Sequence, residues 1–322
     1  MLSDFDSDSD SDDVPDVVEM QVDMNIGIPR FMISQALVTC GILQLALDKV
    51  GDRVTHGVEF FAGVKTIMRG MCAFDYPFKS FEINDDDNNQ DINSRAGFIN
   101  AVAFVLSCIP FGFIWCAVVC STWVFMSKSS TGRRIHPLGY SGSITCHYAN
   151  VMVQRVCMLL ELATSLQVHW VVEQPRSSTL HEHPRWELMA ERHAIIWSIR
   201  CINTFMRAFM GDSEKALKLW TTAPWVNDLS VRQPTRTYES HDITRKGFRT
   251  DGTPTVTGGS GLKDTQSYTP EFGLAVTVAY HKYRATLTTP CWFPKPESNF
   301  ECFPDDAGDV SCLASDPQRP NK

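Results

Sequence analysis

The sequence predicts an α/β protein: a Rossmann-like, mostly parallel sheet with helices on both faces and an irregular C-terminal part. Three observations carry that expectation. Strand-length apolar segments alternate with helix-period segments from residue 57 to 200, the pattern that β-α-β crossovers write into a chain. The apolar run Val58–Phe61 ends in the small pair Ala62-Gly63 and then turns amphipathic, as a strand does when a tight turn feeds it into a helix. The stretch "FINAVAFVLSCIPFGFIWCAVVCSTWVFMS", residues 98–127, holds no charge, and its second half is the continuous apolar run expected of a strand covered on both faces.

Taken in order, the segments read as follows. "FMISQALVTCGILQLALDKVG" (31–51) has helical periodicity and ends in Gly51, a plausible C-cap. Strands are expected at 57–62, 79–83, 112–119, 168–173 and 194–200. Helices are expected at 64–74, 94–108, 146–165, 185–192 and 270–287. Residues 98–126 are long enough for a membrane span, and an anchor there is the alternative. Pro110 and Gly112 divide the run into a helix-length and a strand-length piece, which favours two elements of a core. Residues 1–29 form an acidic tail expected to be disordered, 30–210 the cofactor-binding and catalytic domain, 211–289 an irregular extension with a late helix, and 290–322 a second disordered tail.

Charge is concentrated in one place. Residues 1–29 contain nine acids and neither Lys nor Arg, so removing them from a net charge of −8 leaves +1 for the rest of the 322-residue chain. A near-neutral body neither demands nor excludes a polyanionic partner. The 11 cysteines include no C-x-x-C pair, and Cys108, Cys116 and Cys157 sit inside apolar runs. That usage fits buried thiols of an intracellular protein, nuclear or cytoplasmic, rather than a disulfide framework.

Several residues stand where α/β enzymes place their chemistry. Phe61, Ala62 and Gly63 form the turn after the first strand, where backbone can approach a ligand. Glu82 follows Gly63 by 19 residues, at the end of the next strand, a spacing suited to holding ribose hydroxyls. Asp91 precedes the next helix and either caps it or faces an adenine. Cys120 emerges at the carboxyl end of the third strand, where a thiol can act as a nucleophile. Glu173 closes the fourth strand, where a carboxyl group can bond a ring nitrogen. The loop after Cys120 carries Lys128, Arg133 and Arg134, a candidate contact for a nucleic-acid backbone. His181 and His183 share a strand face but lack a third ligand at a recognisable spacing, so they are read as surface histidines and no metal is expected.

Together and in this order, these residues resemble the C5-cytosine DNA methyltransferase family over about residues 57 to 200. Phe61-Ala62-Gly63 is similar to the family's first motif, Glu82 to its acidic ribose ligand, and Asp91-Ile92 to its third motif. Cys120 stands at its nucleophile, and Glu173 at its base-binding glutamate. "QSYTPEFGLAV" (266–276) is faintly similar to its final, cofactor-side motif. The resemblance implies S-adenosylmethionine as cofactor and methylation of cytosine C5 through Cys120. The chain departs from the family at Val119, where proline is usual, at Lys65 in the first turn, and at Gln174-Pro175 in place of Asn-Val. The alternative to an enzyme is a non-catalytic module that keeps the fold and binds cofactor or a partner.

Overall fold

The computed structural model describes residues 41, 43–46, 49, 52–85, 89–193, 197–231, 244–248, 254–258 and 267–287. The chain divides into two compact units, 1–42 and 43–322; of the first, only Gly41 is described, and it is helical. Most of the 31–51 helix, both tails expected to be disordered, and most of 232–266 lie outside the described residues.

The second unit is an α/β sandwich. Its sheet contains β1 (Thr55–Phe60), β2 (Phe78–Phe81), β3 (Cys108–Cys116), β4 (His169–Pro175), β5 (Arg200–Phe205) and β6 (Ala216–Thr221), ordered β2-β1-β3-β4-β6-β5. Strands β2, β1, β3 and β4 run parallel. The longer helices are α1 (Thr66–Ala73), α2 (Arg95–Leu106), α3 (Ile144–Ser165), α4 (Pro184–His193) and α5 (Pro270–Thr286). A small antiparallel hairpin joins β7 (Thr244–Phe248) to β8 (Pro254–Gly258).

Alternation along the strands sorts the side chains between two faces. Phe78, Phe113, Trp115, Val171, Leu217 and Leu219 pack with Ile67 and Met71 of α1 and with Phe272, Val276 and Tyr280 of α5. On the other face, Phe81 meets Phe104 of α2, Trp170 donates to Thr164 of α3, and Trp170 and Trp220 each pack against Trp186 of α4. Burying aromatic rings on both faces is the main source of stability here, since each removes 150–250 Å² from water.

The sheet is mostly parallel as expected, with β6 antiparallel to both β4 and β5. Two expectations are corrected. Strand β6 lies in the part expected to be irregular; "ALKLWT" alternates apolar and polar residues and does not advertise itself as a buried strand. The fifth strand lies at 200–205 rather than 194–200, because "RCINTF" is an edge strand whose outer positions are half-exposed. Residues 98–116 divide between α2 and β3 in the core, residues 117–126 run on into the loop after β3, and no helix among the described residues is long and apolar enough to cross a membrane. Strand β3 begins at Cys108, earlier than expected, and is irregular at its start. Phe111 has φ 61°, and the register against β1 shifts between Thr55 and Gly57. A Cβ on Gly57 would sit 1.8 Å from the Phe113 carbonyl oxygen, so β1 can approach β3 there only as glycine.

At the amino end of the sheet, α5 is tied down by histidine–tyrosine pairs. His56 Nδ1 lies 3.0 Å from the Tyr280 hydroxyl, and His169 Nε2 lies 2.9 Å from the Tyr283 hydroxyl. Burial lowers the pKa of His169 to about 4. The folded state therefore resists protonation that the unfolded chain accepts near pH 6.5. The stability from this residue is complete above pH 6.5 and is lost as pH falls towards 4, by about 3 kcal/mol. Glu59 acts in the opposite sense, since burial raises its pKa to about 7. The His169 contribution thus appears as a difference: in urea unfolding between pH 7 and 4.5, His169→Phe should lose less stability than the wild-type chain. Equal slopes for the two proteins would remove the buried histidine from the account.

Candidate functional site

Strand β1 has β2 on one side and β3 on the other, so the chain reverses its direction of growth between β1 and β3. Open α/β sheets bind ligands at the carboxyl edge of that gap. Here the gap opens into a cavity of about 320 Å³ lined by Phe61, Glu82, Asp91, Val119, Tyr148 and Met152, among others. Three of the five residues expected to hold a cofactor line it, and Ala62 and Gly63 continue the turn from Phe61.

That turn is held in an unusual backbone. Phe61, Gly63 and Lys65 all have φ between 50° and 58°, so left-handed residues alternate with ordinary ones. The Gly63 amide donates to Glu82 Oε2 at 2.9 Å, which ties the end of β1 to the end of β2. Asn84 donates to Glu82 Oε1 through its amide at 3.2 Å and its side chain at 2.9 Å. A carboxylate offers about four acceptor positions, so one remains for a ligand hydroxyl. Lys65 begins α1 in the left-handed region, where a side chain is strained. Its ammonium group pairs with Asp85 at 2.6 Å, in the loop after β2. Lysine is therefore compatible with this turn, which a second glycine would have made without strain.

Asp91 does not cap α2. Ser94 does, its hydroxyl accepting from the Gly97 amide at 2.9 Å. Asp91 Oδ1 instead accepts from the Asn93 amide at 2.8 Å and the Tyr148 hydroxyl at 2.9 Å. This places its carboxyl group on the cavity wall next to Tyr148.

Cys120 and Glu173 stand at the same carboxyl edge. Glu173 is not among the residues lining the cavity; Val119 and Ser121, the neighbours of Cys120, are. Cys120 is partly buried, and its thiol pKa is raised by burial and then by the charge of Glu173, while Lys215 lowers it. Glu173 is buried and its pKa is raised, by desolvation above all, with Lys215 and the Tyr268 hydroxyl opposing. The two groups cannot both be charged at low cost. A proton on Glu173 makes a thiolate at Cys120 easier to form.

The motif around Glu173 also builds the Cys120 loop. Gln174 is fully buried; its side-chain amide donates to the Val118 carbonyl, and its carbonyl accepts from the Ser178 hydroxyl at 2.8 Å. Thr179 donates to the Trp123 carbonyl through its amide at 3.0 Å. "VVEQPRSST" and "VVCSTW" thus interlock, and glutamine at 174 has a defined task.

The loop after Cys120 is corrected in part. Arg133 is buried, lies 3.3 Å from the Trp123 ring centroid, and donates to Asn150 Oδ1 at 3.0 Å and to the Pro137 carbonyl. It is an internal strut that cannot meet a phosphate. Arg134 is exposed and Lys128 half-exposed. Beside them Phe125, Ile135 and Ile144 are 75%, 82% and 85% exposed. His183, expected on the surface, is buried and packs on Trp123, because the 3₁₀ turn before α4 folds it inward. Among the described residues, no three His, Cys, Asp or Glu side chains are placed to share a metal ion.

Three residues of this edge escaped the sequence reading. Glu59 is a fully buried acid one residue from the carboxyl end of β1. Its Oε2 accepts from the Met68 amide at 2.8 Å, and its Oε1 has no partner among the described residues. A lone acid inside "VEFF" was the available signal. Tyr268 donates to Glu173 Oε2 at 3.0 Å across 95 residues, and Lys215 acts on Glu173 and Cys120 from the approach to β6. No local pattern marks either.

Truncating the interlock has a defined cost. Gln174→Ala leaves the Val118 carbonyl and the Ser178 hydroxyl unpaired in the core, and should lower unfolding stability by about 2–4 kcal/mol. Peptide mass mapping should show faster iodoacetamide labelling of Cys120 in the variant than in the wild-type chain. Unchanged labelling would mean that Gln174 does not hold the loop. In comparison with known proteins, the chain matches no family model and no curated protein.

Proposed function

We propose that the chain is an S-adenosylmethionine-dependent methyltransferase whose leading substrate is C5 of cytosine in nucleic acid. The observation that carries this reading is convergence: Phe61, Glu82 and Asp91 meet in one cavity at the sheet's carboxyl edge, with Cys120 and Glu173 electrostatically coupled beside it. The cavity chemistry fits a nucleoside. Phe61, Ile92 and Met152 offer apolar walls for a base, and Glu82 and Asp91 offer acceptors for hydroxyl and amino groups.

The cofactor, when bound, supplies a methyl group. The protein's own residues do the rest. Cys120 gives up its thiol proton to solvent, its sulfur bonds to C6 of the base, and the ring electrons that this addition displaces make C5 nucleophilic. Glu173 steadies the ring by donating a proton to N3, which needs the protonated carboxyl that burial favours. After methylation, a water molecule takes the C5 proton, the C6–S bond breaks to release the Cys120 thiolate, and N3 returns its proton to the Glu173 carboxylate, which restores the ring. A base in a duplex must leave the stack to be reached. The exposed Phe125 and Ile135, with Arg134 and Lys128, form a surface suited to a displaced strand. The seven cysteines among the described residues are all free thiols, which supports an intracellular setting, nuclear or cytoplasmic.

One observation favours a second reading, a non-catalytic module that keeps the cofactor cavity: the resting Cys120 thiol is held protonated by burial and by Glu173. Trapping on single-stranded DNA containing 5-fluorocytosine separates the two readings. The enzyme should form a denaturant-resistant adduct in the presence of cofactor, lost completely in Cys120→Ser and reduced at least tenfold in Glu173→Gln. No adduct from a chain that still binds cofactor would leave the binding module.

A further inference from the structure

We propose that Tyr268, anchored by Trp115, is a positioning residue that dictates which oxygen of Glu173 carries the proton, leaving Oε1 to donate to a ring nitrogen that bears no hydrogen. This inference rests on the reading of the Cys120–Glu173 edge as a site for a nitrogen heterocycle. It deepens that reading by naming the substrate class the carboxyl group accepts.

The directionality comes from a donor that cannot reverse. Trp115 Nε1–H can only donate, and it donates to the Tyr268 hydroxyl oxygen at 3.1 Å. The tyrosine hydrogen is then directed to Glu173 Oε2, 3.0 Å away. Oε2 is thereby an acceptor, so a proton on this carboxyl group resides on Oε1. That atom is buried and has no partner among the described residues. A carboxylic acid with its hydrogen on Oε1 suits a bare ring nitrogen, such as cytosine N3, and opposes uracil or thymine, whose N3 already carries hydrogen.

The tyrosine is held from several sides. Thr66 Oγ1 donates to the Tyr268 carbonyl at 3.2 Å. The next residue, Thr269, caps α5 and donates to the Phe209 carbonyl at 2.6 Å. The Tyr268 ring packs on Phe272 at 5.0 Å and meets Trp115 edge-on at 6.2 Å. The charged and titratable groups acting on this relay are Lys215 before β6, Cys120 after β3, and Glu59 on β1, which acts through Tyr268. Burial is the largest cause of the raised Glu173 pKa, and the Tyr268 hydrogen bond partly offsets it.

The test reads the Glu173 carboxyl directly, by isotope-edited infrared titration of the full chain, with Glu173→Gln assigning the band. It needs neither cofactor nor nucleic acid, so its outcome is independent of whether the proposed methyl transfer is correct. Tyr268→Phe removes a donor that favours the charged carboxylate, and should raise the Glu173 midpoint by on the order of one pH unit. Site-specific 3-fluorotyrosine at 268 keeps the ring but donates more strongly, and should lower the midpoint. The fluorinated protein retains the packing even if the phenylalanine variant does not fold. Opposite shifts in the two proteins support the relay. A midpoint unmoved by 3-fluorotyrosine in the folded chain overturns it.

Discussion

The hydrogen bond from the Gly63 amide to the Glu82 carboxylate is the contact on which the candidate site depends. It joins the end of β1 to the end of β2 and fixes a turn in which three residues are left-handed. Without a buried acceptor, the strain of Phe61 and Lys65 would favour a looser loop. With it, the turn leaves Phe61 on the cavity wall and starts α1 directly beneath α5. The Lys65–Asp85 pair reinforces the same closure from the solvent side.

A second constraint organises the other half of the edge. Buried carboxyl groups are costly to ionise, and two of those described here, Glu59 and Glu173, each have one bonded oxygen and one with no partner among the described residues. Hydrogen bonds from the Met68 amide and Tyr268 offset part of the cost. What remains unpaired is acceptor or donor capacity near the sheet's carboxyl edge. The fold thus gives up stability to keep these polar groups buried, a pattern that functional sites share.

Much of this was legible in the chain. The apolar runs of β1, β3 and β4, the Gly63–Glu82 spacing and a helix starting near residue 94 follow from period and turn chemistry, whereas the cap at Ser94 was not read. Arg133 was not legible, because a basic loop residue looks the same in sequence whether it meets solvent or stacks on Trp123. Strand β6 was hidden by Lys218 at its centre, and its antiparallel direction is a tertiary property. The Trp115–Tyr268–Glu173 relay joins three distant segments, which no local pattern can announce.

The central claim is that the gap between β1 and β3 is a cofactor cavity. Calorimetric titration of S-adenosylmethionine into the full chain tests it most directly. The account predicts saturable one-site binding that is abolished by Met152→Trp, which fills the cavity from α3 while leaving Cys120 and Glu173 in place. No heat at millimolar ligand, or equal binding by the filled variant, would contradict it.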